Sequence, residues 1–277
     1  MKITFYGVRG SIPVSSKETQ KYGGNTSCLL LEADDKILIF DAGTGIRQLG
    51  EDLINDERDI YLFFSHYHWD HIQGLPFFKP LYNPKRTIYL LSHYLADDAS
   101  TVFKQMVSPY FPVTQDKIQA QVTVLPLQNN GRLNIGSLNI STCALNHPDG
   151  GTAYRIDTDE GSFAYVTDSE LLPPKTVSTT WEQWVRFLQN VDLLVHDAMY
   201  IDEELSHIHG WGHPLVSQVQ RLARDANVAK LVLFHHDPKR TDKQLEAILA
   251  NTQQWIKKQH PRCKVTLAKE KDSYQVT

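Results

Sequence analysis

Ser65-His66-Tyr67-His68-Trp69-Asp70-His71 follows the apolar run Ile60 to Phe64 and precedes Ile72-Gln73-Gly74-Leu75-Pro76-Phe77-Phe78. Three imidazoles and a carboxylate fall within six consecutive positions, His66 to His71. Neutral imidazole and carboxylate are the usual donors for zinc and for harder divalent ions. If the segment continues extended from a strand, His66 and His68 point the same way and can share one ion. Asp70 and His71 come after the chain has turned, so they can face a second ion beside the first. The reading that follows is a two-metal hydrolase site.

Working outward, the chain of 277 residues has room for one large α/β domain or two small ones. No low-complexity tract or linker interrupts it, so one domain over residues 1–277 is expected. Its 41% hydrophobic and 22% charged residues are those of a globular protein with a substantial core. A formal charge of −4 gives no general attraction to polyanions, which disfavours long nucleic acid as a partner. Lys79, Lys85 and Arg86 form a small basic cluster that reads as a solvated surface loop. Cys28, Cys143 and Cys263 are odd in number and share no CxxC spacing, so they read as free thiols in a reducing compartment. No apolar run approaches the roughly 20 residues that span a bilayer. The expected address is the cytoplasm, with no membrane partner.

Strand patterning is expected at Lys2 to Tyr6, Cys28 to Ala33, Lys36 to Phe40, Ile60 to Phe64, Thr87 to Leu91, Val122 to Leu127 and Leu138 to Leu145. It resumes at Thr152 to Ile156, Ser162 to Val166, Asp192 to Val195, Lys230 to Phe234 and Lys264 to Ala268. Helices are expected after Gly45 through Leu53, over Leu95 to Val107 with Asp97 and Asp98 in the first turn, and at Trp181 to Gln189, Leu215 to Ala226 and Asp242 to Lys258. Strands and helices alternate in both halves, as in two α/β layers packed face to face. Five apolar runs end in a histidine or aspartate: at His66, His147, Asp168, His196-Asp197 and His235. Rigid strands aim such terminal residues into one cleft. Asp41, at another strand end, is read as a partner of a ligating histidine.

With those residues in view the sequence resembles the metallo-β-lactamase-fold hydrolases over essentially its whole length. The family motif HxHxDH stands as His66-Tyr67-His68-Trp69-Asp70-His71. Later family ligands match His147 in Asn146-His147-Pro148, Asp168 in Val166-Thr167-Asp168 and His235 in Phe234-His235-His236, with His235 favoured over its neighbour His236. The resemblance implies a four-layer αβ/βα sandwich with two divalent ions at its edge. His66, His68 and His147 would hold one ion, Asp70, His71 and His235 the other, and Asp168 would bridge both. Zinc suits the nitrogen-rich set first, and manganese or iron also fit it. Two cations about 3.5–4 Å apart make a shared water acidic enough to supply hydroxide near neutral pH. By the family pattern Asp70 would orient or deprotonate that water.

Leu194-Val195-His196-Asp197-Ala198-Met199-Tyr200 and His209-Gly210-Trp211-Gly212-His213 look like the phosphodiesterase branch. That branch includes cyclic phosphodiesterases and tRNA 3′-end endonucleases. Carried over by position, Asp197 would orient His213, and His213 would donate a proton to the leaving alkoxide. The endonucleases usually carry glutamate where Asp197 stands, and a shorter side chain leaves the pairing distance open. They also project a long arm, for which the Asp168 to Asp197 connection has no counterpart. The sequence therefore favours a small or cyclic phosphodiester as substrate. The alternatives are a tRNA 3′-end endonuclease, a thioester hydrolase of the glyoxalase II type and, last, a non-enzymatic ligand sensor. The resemblance leaves a homodimer open. Tyr67 and Trp69 are read as packing around the metal loop, His93 and His260 as surface residues, and His196 as a buried residue bonded to backbone.

Overall fold

Ile37-Leu38-Ile39-Phe40 is apolar at every position because both faces of its strand are covered. Ile37 and Ile39 join one buried cluster, while Leu38 and Phe40 join another on the opposite face. Leu231-Val232-Leu233-Phe234 divides in the same way, Leu231 and Leu233 to one side and Val232 and Phe234 to the other. A period of two with both sides buried is the mark of a sheet sandwiched between other layers.

The computed structural model describes residues 1–93 and 100–276. Among these the strands, in chain order, are β1 (Lys2–Gly7), β2 (Cys28–Ala33), β3 (Lys36–Phe40), β4 (Ile60–Phe63), β5 (Thr87–Ser92), β6 (Gln121–Pro126), β7 (Arg132–Ile135), β8 (Leu138–Ala144), β9 (Thr152–Thr158), β10 (Gly161–Val166), β11 (Leu193–Asp197), β12 (Lys230–Phe234), β13 (Lys264–Leu267) and β14 (Ser273–Gln275). The α-helices are α1 (Ile46–Asp52), α2 (Trp69–Ile72), α3 (Ser100–Phe103), α4 (Trp181–Phe187), α5 (Leu205–Ile208), α6 (Val216–Asp225) and α7 (Asp242–Gln259).

One sheet has the order β14-β1-β2-β3-β4-β5-β6 and the other β13-β12-β11-β10-β9-β8-β7. Strands β3 to β6 pair in parallel, as do β10 to β13; the remaining pairs are antiparallel. Between the sheets lies an aromatic layer, in which Phe40 stacks on Phe63 at 5.0 Å and meets Tyr154, Phe163 and Tyr165 at 5.4–5.7 Å. Outside the first sheet Ile46 and Leu49 of α1 cover Ile37, Ile39, Ile60 and Leu62. Outside the second, Trp184, Leu222 and Leu245 of α4, α6 and α7 cover Ala164, Leu194 and Leu231. The result is the four-layer αβ/βα sandwich of the metallo-β-lactamase type. No helix among the described residues is long and apolar enough to cross a membrane.

Strand ends differ from expectation by a residue or two, and some details need correction. The helix expected over Leu95 to Val107 is described only at Ser100–Phe103; Asp97 and Asp98 lie outside the described residues. It ends there because Met106 turns back tightly onto Phe103 O. Two strands carried no readable pattern, β7 and β14, and both acquire their form from pairing with β8 and β1. Arg86 is buried rather than solvated, its guanidinium donating to Asp56 O, and Lys79 pairs with Glu51. His93 and His260 are half-buried and hydrogen-bonded, to Thr152 Oγ1 at 2.7 Å and Val228 O at 2.9 Å. Trp69 does not pack on the metal loop; it is 77% exposed.

Candidate metal centre

The site forms where strands of both sheets end. β8 runs in the same sense as β10, since two antiparallel steps separate them, so His147, Asp168, Asp197 and His235 all follow from one edge of the second sheet. The first sheet contributes the segment after β4, with His66 ahead of the turn, His68 extended at the N-cap of α2, and Asp70 and His71 on the single turn of α2. At the edge where the site forms, three residues just beyond strand ends carry positive φ: Asp41 at 60°, Asp168 at 51° and His235 at 55°. Asp and His tolerate this left-handed conformation better than most residues. The kink turns the chain sharply as it leaves the sheet.

His66, His68 and His147 bring one ring nitrogen each within 4.8 Å of one another, and Asp70, His71, Asp168 and His235 do the same with one donor atom each. In the first group His147 Nε2 stands 3.1 Å from His68 Nδ1. In the second, Asp70 Oδ2 is 3.2 Å from both His71 Nε2 and His235 Nε2. Asp168 lies between the groups: Oδ2 is 3.7 Å from His66 Nε2, and Oδ1 is 3.4 Å from His71 Nε2 and 3.2 Å from His235 Nε2. His236 points elsewhere. Its Nε2 bonds Ala268 O at 2.9 Å, and burial pushes its pKa down to about 3.

A shell of hydrogen bonds fixes which nitrogens face inward. Asp41 is fully buried; it accepts from His71 Nδ1 at 2.8 Å, from Ser65 N at 2.7 Å and from Tyr165 OH at 2.8 Å, while Ser65 Oγ lies 2.8 Å from Oδ2. Ser65 Oγ in turn meets His66 Nδ1 at 3.1 Å. His147 Nδ1 donates to Gly212 O at 3.1 Å, and Ser11 N donates to Asp70 Oδ2 at 2.7 Å. With their other nitrogens so engaged, His66 Nε2 and His71 Nε2 are buried and turned into the cluster; neither makes a hydrogen bond among the described residues, and the nearby carboxylate oxygens of Asp70 and Asp168 stand 3.2–3.7 Å away. A buried ring nitrogen left unpaired is costly unless something else is to bind there.

The electrostatics ask for positive charge. Burial works against ionised Asp70 and Asp168, but the neighbouring histidines outweigh it and hold both carboxyls well below their usual range. Burial likewise disfavours the His71 imidazolium, yet Asp70, Asp168 and Asp41 raise its pKa well above the ordinary value. In the other group burial lowers His66, and pushes His147 down to about 4, which keeps these rings neutral and able to donate lone pairs. Neutral imidazoles on one side, and on the other carboxylates that draw positive charge onto the histidine beside them, fit a pair of divalent cations.

Beside this cluster His213 Nδ1 lies 2.8 Å from Asp197 Oδ2 and 3.8 Å from Asp168 Oδ2. The aspartate is long enough to make the pair. Asp197 is itself anchored, its Oδ1 accepting from Met199 N at 2.9 Å. Burial opposes protonation of His213, but Asp197 and then Asp168 overcome it and raise the pKa to about 9. His196 faces away, buried, with Nδ1 donating to Asp197 O at 2.7 Å.

Sequence reasoning overlooked Ser65, Tyr165, Ser11 and Glu170. Ser11 acts through its backbone, which has no side-chain signal; the segment passes close to the site, and a Cβ on the adjacent Gly10 would lie 2.4 Å from the His235 ring. Tyr165 sits in an ordinary apolar strand, where only the hydroxyl distinguishes it from core.

A sequence family described as a beta-lactamase superfamily domain matches residues 36–236. The chain belongs to this superfamily. As a member it is a metal-dependent hydrolase, and its relatives lie on the phosphodiesterase side. Among curated proteins, ribonuclease Z of Staphylococcus carnosus (strain TM300) is 22% identical over an alignment of 323 residues that covers 100% of both chains. Among solved structures, the metallo-beta-lactamase fold protein YhfI from Bacillus subtilis superposes with a TM-score of 0.72 at 20% identity, covering 99% of this chain and 98% of its own. The short form of human tRNase Z gives 0.65 at 19% identity, with 100% of both chains covered. These structures share the superfamily's fold.

Proposed function

We propose that the chain, acting as a single domain over residues 1–277, is a two-metal phosphodiesterase in which His213 is the general acid. The observation that carries this reading is the 2.8 Å pair of His213 Nδ1 and Asp197 Oδ2 next to the donor cluster. His66, His68 and His147 would hold one cation, Asp70, His71 and His235 the other, and Asp168 both. When bound, two such cations acidify a water nucleophile and neutralise charge on the phosphoryl oxygens. Asp70, held by Ser11 N, orients or deprotonates that water. Asp197 takes the Nδ1 proton of His213 in a hydrogen bond, which leaves Nε2 to carry the proton that the leaving alkoxide needs. The His213 side chain keeps 11% of its surface exposed.

For the substrate, the full-length relatives named ribonuclease Z support an RNA phosphodiester and run against the reading of the net charge as disfavouring long nucleic acid. Net charge is a property of the whole surface and does not exclude a local RNA track. A small or cyclic diester is the second reading. It is favoured by the connection from β10 to β11, which holds only loops and the seven-residue α4 where an RNA-gripping arm would be expected. A panel of precursor tRNA, cyclic mononucleotides, bis(p-nitrophenyl) phosphate and S-lactoylglutathione, assayed with zinc and with manganese, separates these. Cleavage of precursor tRNA at a higher kcat/KM than the cyclic nucleotides is expected. Turnover of cyclic nucleotides with the tRNA left intact would move the assignment to the second reading, and activity on the thioester alone would sink both.

A further inference from the structure

We infer that Glu170 is a positioning residue that sets the loop carrying His213 and the carbonyl that orients His147, a role resting on the reading of His213 as general acid. Glu170 lies two residues beyond Asp168 and is only 3% exposed. Its carboxylate accepts from Gly210 N, 3.0 Å and 3.1 Å from its two oxygens, and from Gly212 N at 3.4 Å. Its ion-pair contact among the described residues is exposed His209, at 3.4 Å. Among the described residues no lysine or arginine makes an ion pair with this carboxylate; taking it from water is expensive, and backbone N–H donors are what compensate it here.

The loop needs such an acceptor. Gly210 and Gly212 have φ of 91° and 89°, a conformation in which the segment belongs to no ladder that would hold it. Gly212 O receives His147 Nδ1, and the approach is close: a Cβ on Gly212 would lie 2.0 Å from that atom. His213 follows directly. Glu170 is itself tied down, its N–H donating to Asn146 O at 2.9 Å and its carbonyl accepting from Asn146 Nδ2 at 3.0 Å. One buried carboxylate thus links the strand end that delivers Asp168 to the orientation of His147 and the placement of His213. The same loop and Glu170 help to wall a cavity of about 440 Å³ that His147 also lines.

The test compares Glu170→Ala, Glu170→Gln and His213→Ala on bis(aryl) phosphates graded in leaving-group acidity, with hydrogen exchange of residues 209–213 and thermal melting measured alongside. Loosening the loop in Glu170→Ala should slow every ester through His147, and should slow the least acidic phenol about 30-fold more than the nitrophenyl ester through the misplaced acid. Exchange across 209–213 should quicken in Glu170→Ala but not in His213→Ala. Gln keeps one oxygen for the two glycine amides, so it should restore both readouts. Should Glu170→Ala not fold, Glu170→Met fills the same space without acceptors and takes its place. Unchanged exchange in the loop, or a leaving-group dependence that steepens in His213→Ala but not in Glu170→Ala, would overturn the role of Glu170. If His213→Ala itself leaves the dependence unchanged, the general-acid reading fails instead, and the exchange data still judge the loop contact.

Discussion

At the scale of single residues the site separates groups that touch the reaction from groups that aim them. His213→Ala removes the proposed proton donor but none of the seven proposed metal donors, so nitrophenyl esters, whose leaving groups need little help, should keep most of their rate. Esters with alkoxide leaving groups should lose about 10²–10⁴-fold, the usual worth of a positioned acid. Equal losses on both classes would argue against the assignment. Asp41→Asn tests aim rather than chemistry. The carboxylate serves Ser65 N, Ser65 Oγ, His71 Nδ1 and Tyr165 OH, and an amide offers one acceptor oxygen to these four. His71 should lose its fixed orientation, and zinc affinity should fall about 10–100-fold, read by competition with a chromogenic chelator. Affinity within a factor of two of the parent would show that His71 holds its place without Asp41.

Secondary-structure elements explain why much of this architecture is legible in the sequence and why parts are not. Runs such as Ile37 to Phe40 and Leu231 to Phe234 announce themselves because sandwiching makes them apolar throughout. The abrupt change to His or Asp at their ends marks the edge where the cleft opens, which is how Asp41, His66, Asp168 and His235 come to notice. Glu170 looks like one more polar loop residue; its burial depends on amides 40 and 42 positions later, and no local pattern carries that. β14 is three residues long, and only its pairing with β1 makes it a strand. Caps are the opposite case. Thr241 and Gln244 cap α7 reciprocally, Thr241 Oγ1 accepting from Gln244 N and Gln244 Oε1 from Thr241 N, a pattern readable from spacing alone. Thr241→Ala should lower the unfolding free energy by about 1 kcal/mol in urea titrations, with kcat unchanged. A loss below a few tenths would mean that packing against the second sheet alone holds the helix start.

Across the whole molecule the donor set belongs to neither sheet alone. His66, His68, Asp70 and His71 follow β4 of the first sheet, while His147, Asp168 and His235 leave β8, β10 and β12 of the second. A cation held by both groups would tie the two layers together at their open edge, in addition to the apolar contacts between Phe40, Phe63, Tyr154 and Tyr165. It would also neutralise buried carboxylates that otherwise repel one another across a few ångströms. Anything that binds the folded state and not the unfolded one stabilises by mass action, by about 4 kcal/mol at a free concentration a thousand times Kd. For a chain of this size that corresponds to a rise in Tm on the order of 10 °C. Dialysis against dipicolinate should therefore lower Tm by that order in calorimetry as well as abolish hydrolysis, and zinc or manganese should restore both. A metal-stripped protein that melts at the original temperature would show that the sandwich closes on its apolar layer alone. In that case the buried Nε2 atoms of His66 and His71, which make no hydrogen bond among the described residues, would be strain that packing tolerates, and the cluster would be built for chemistry without contributing to the fold.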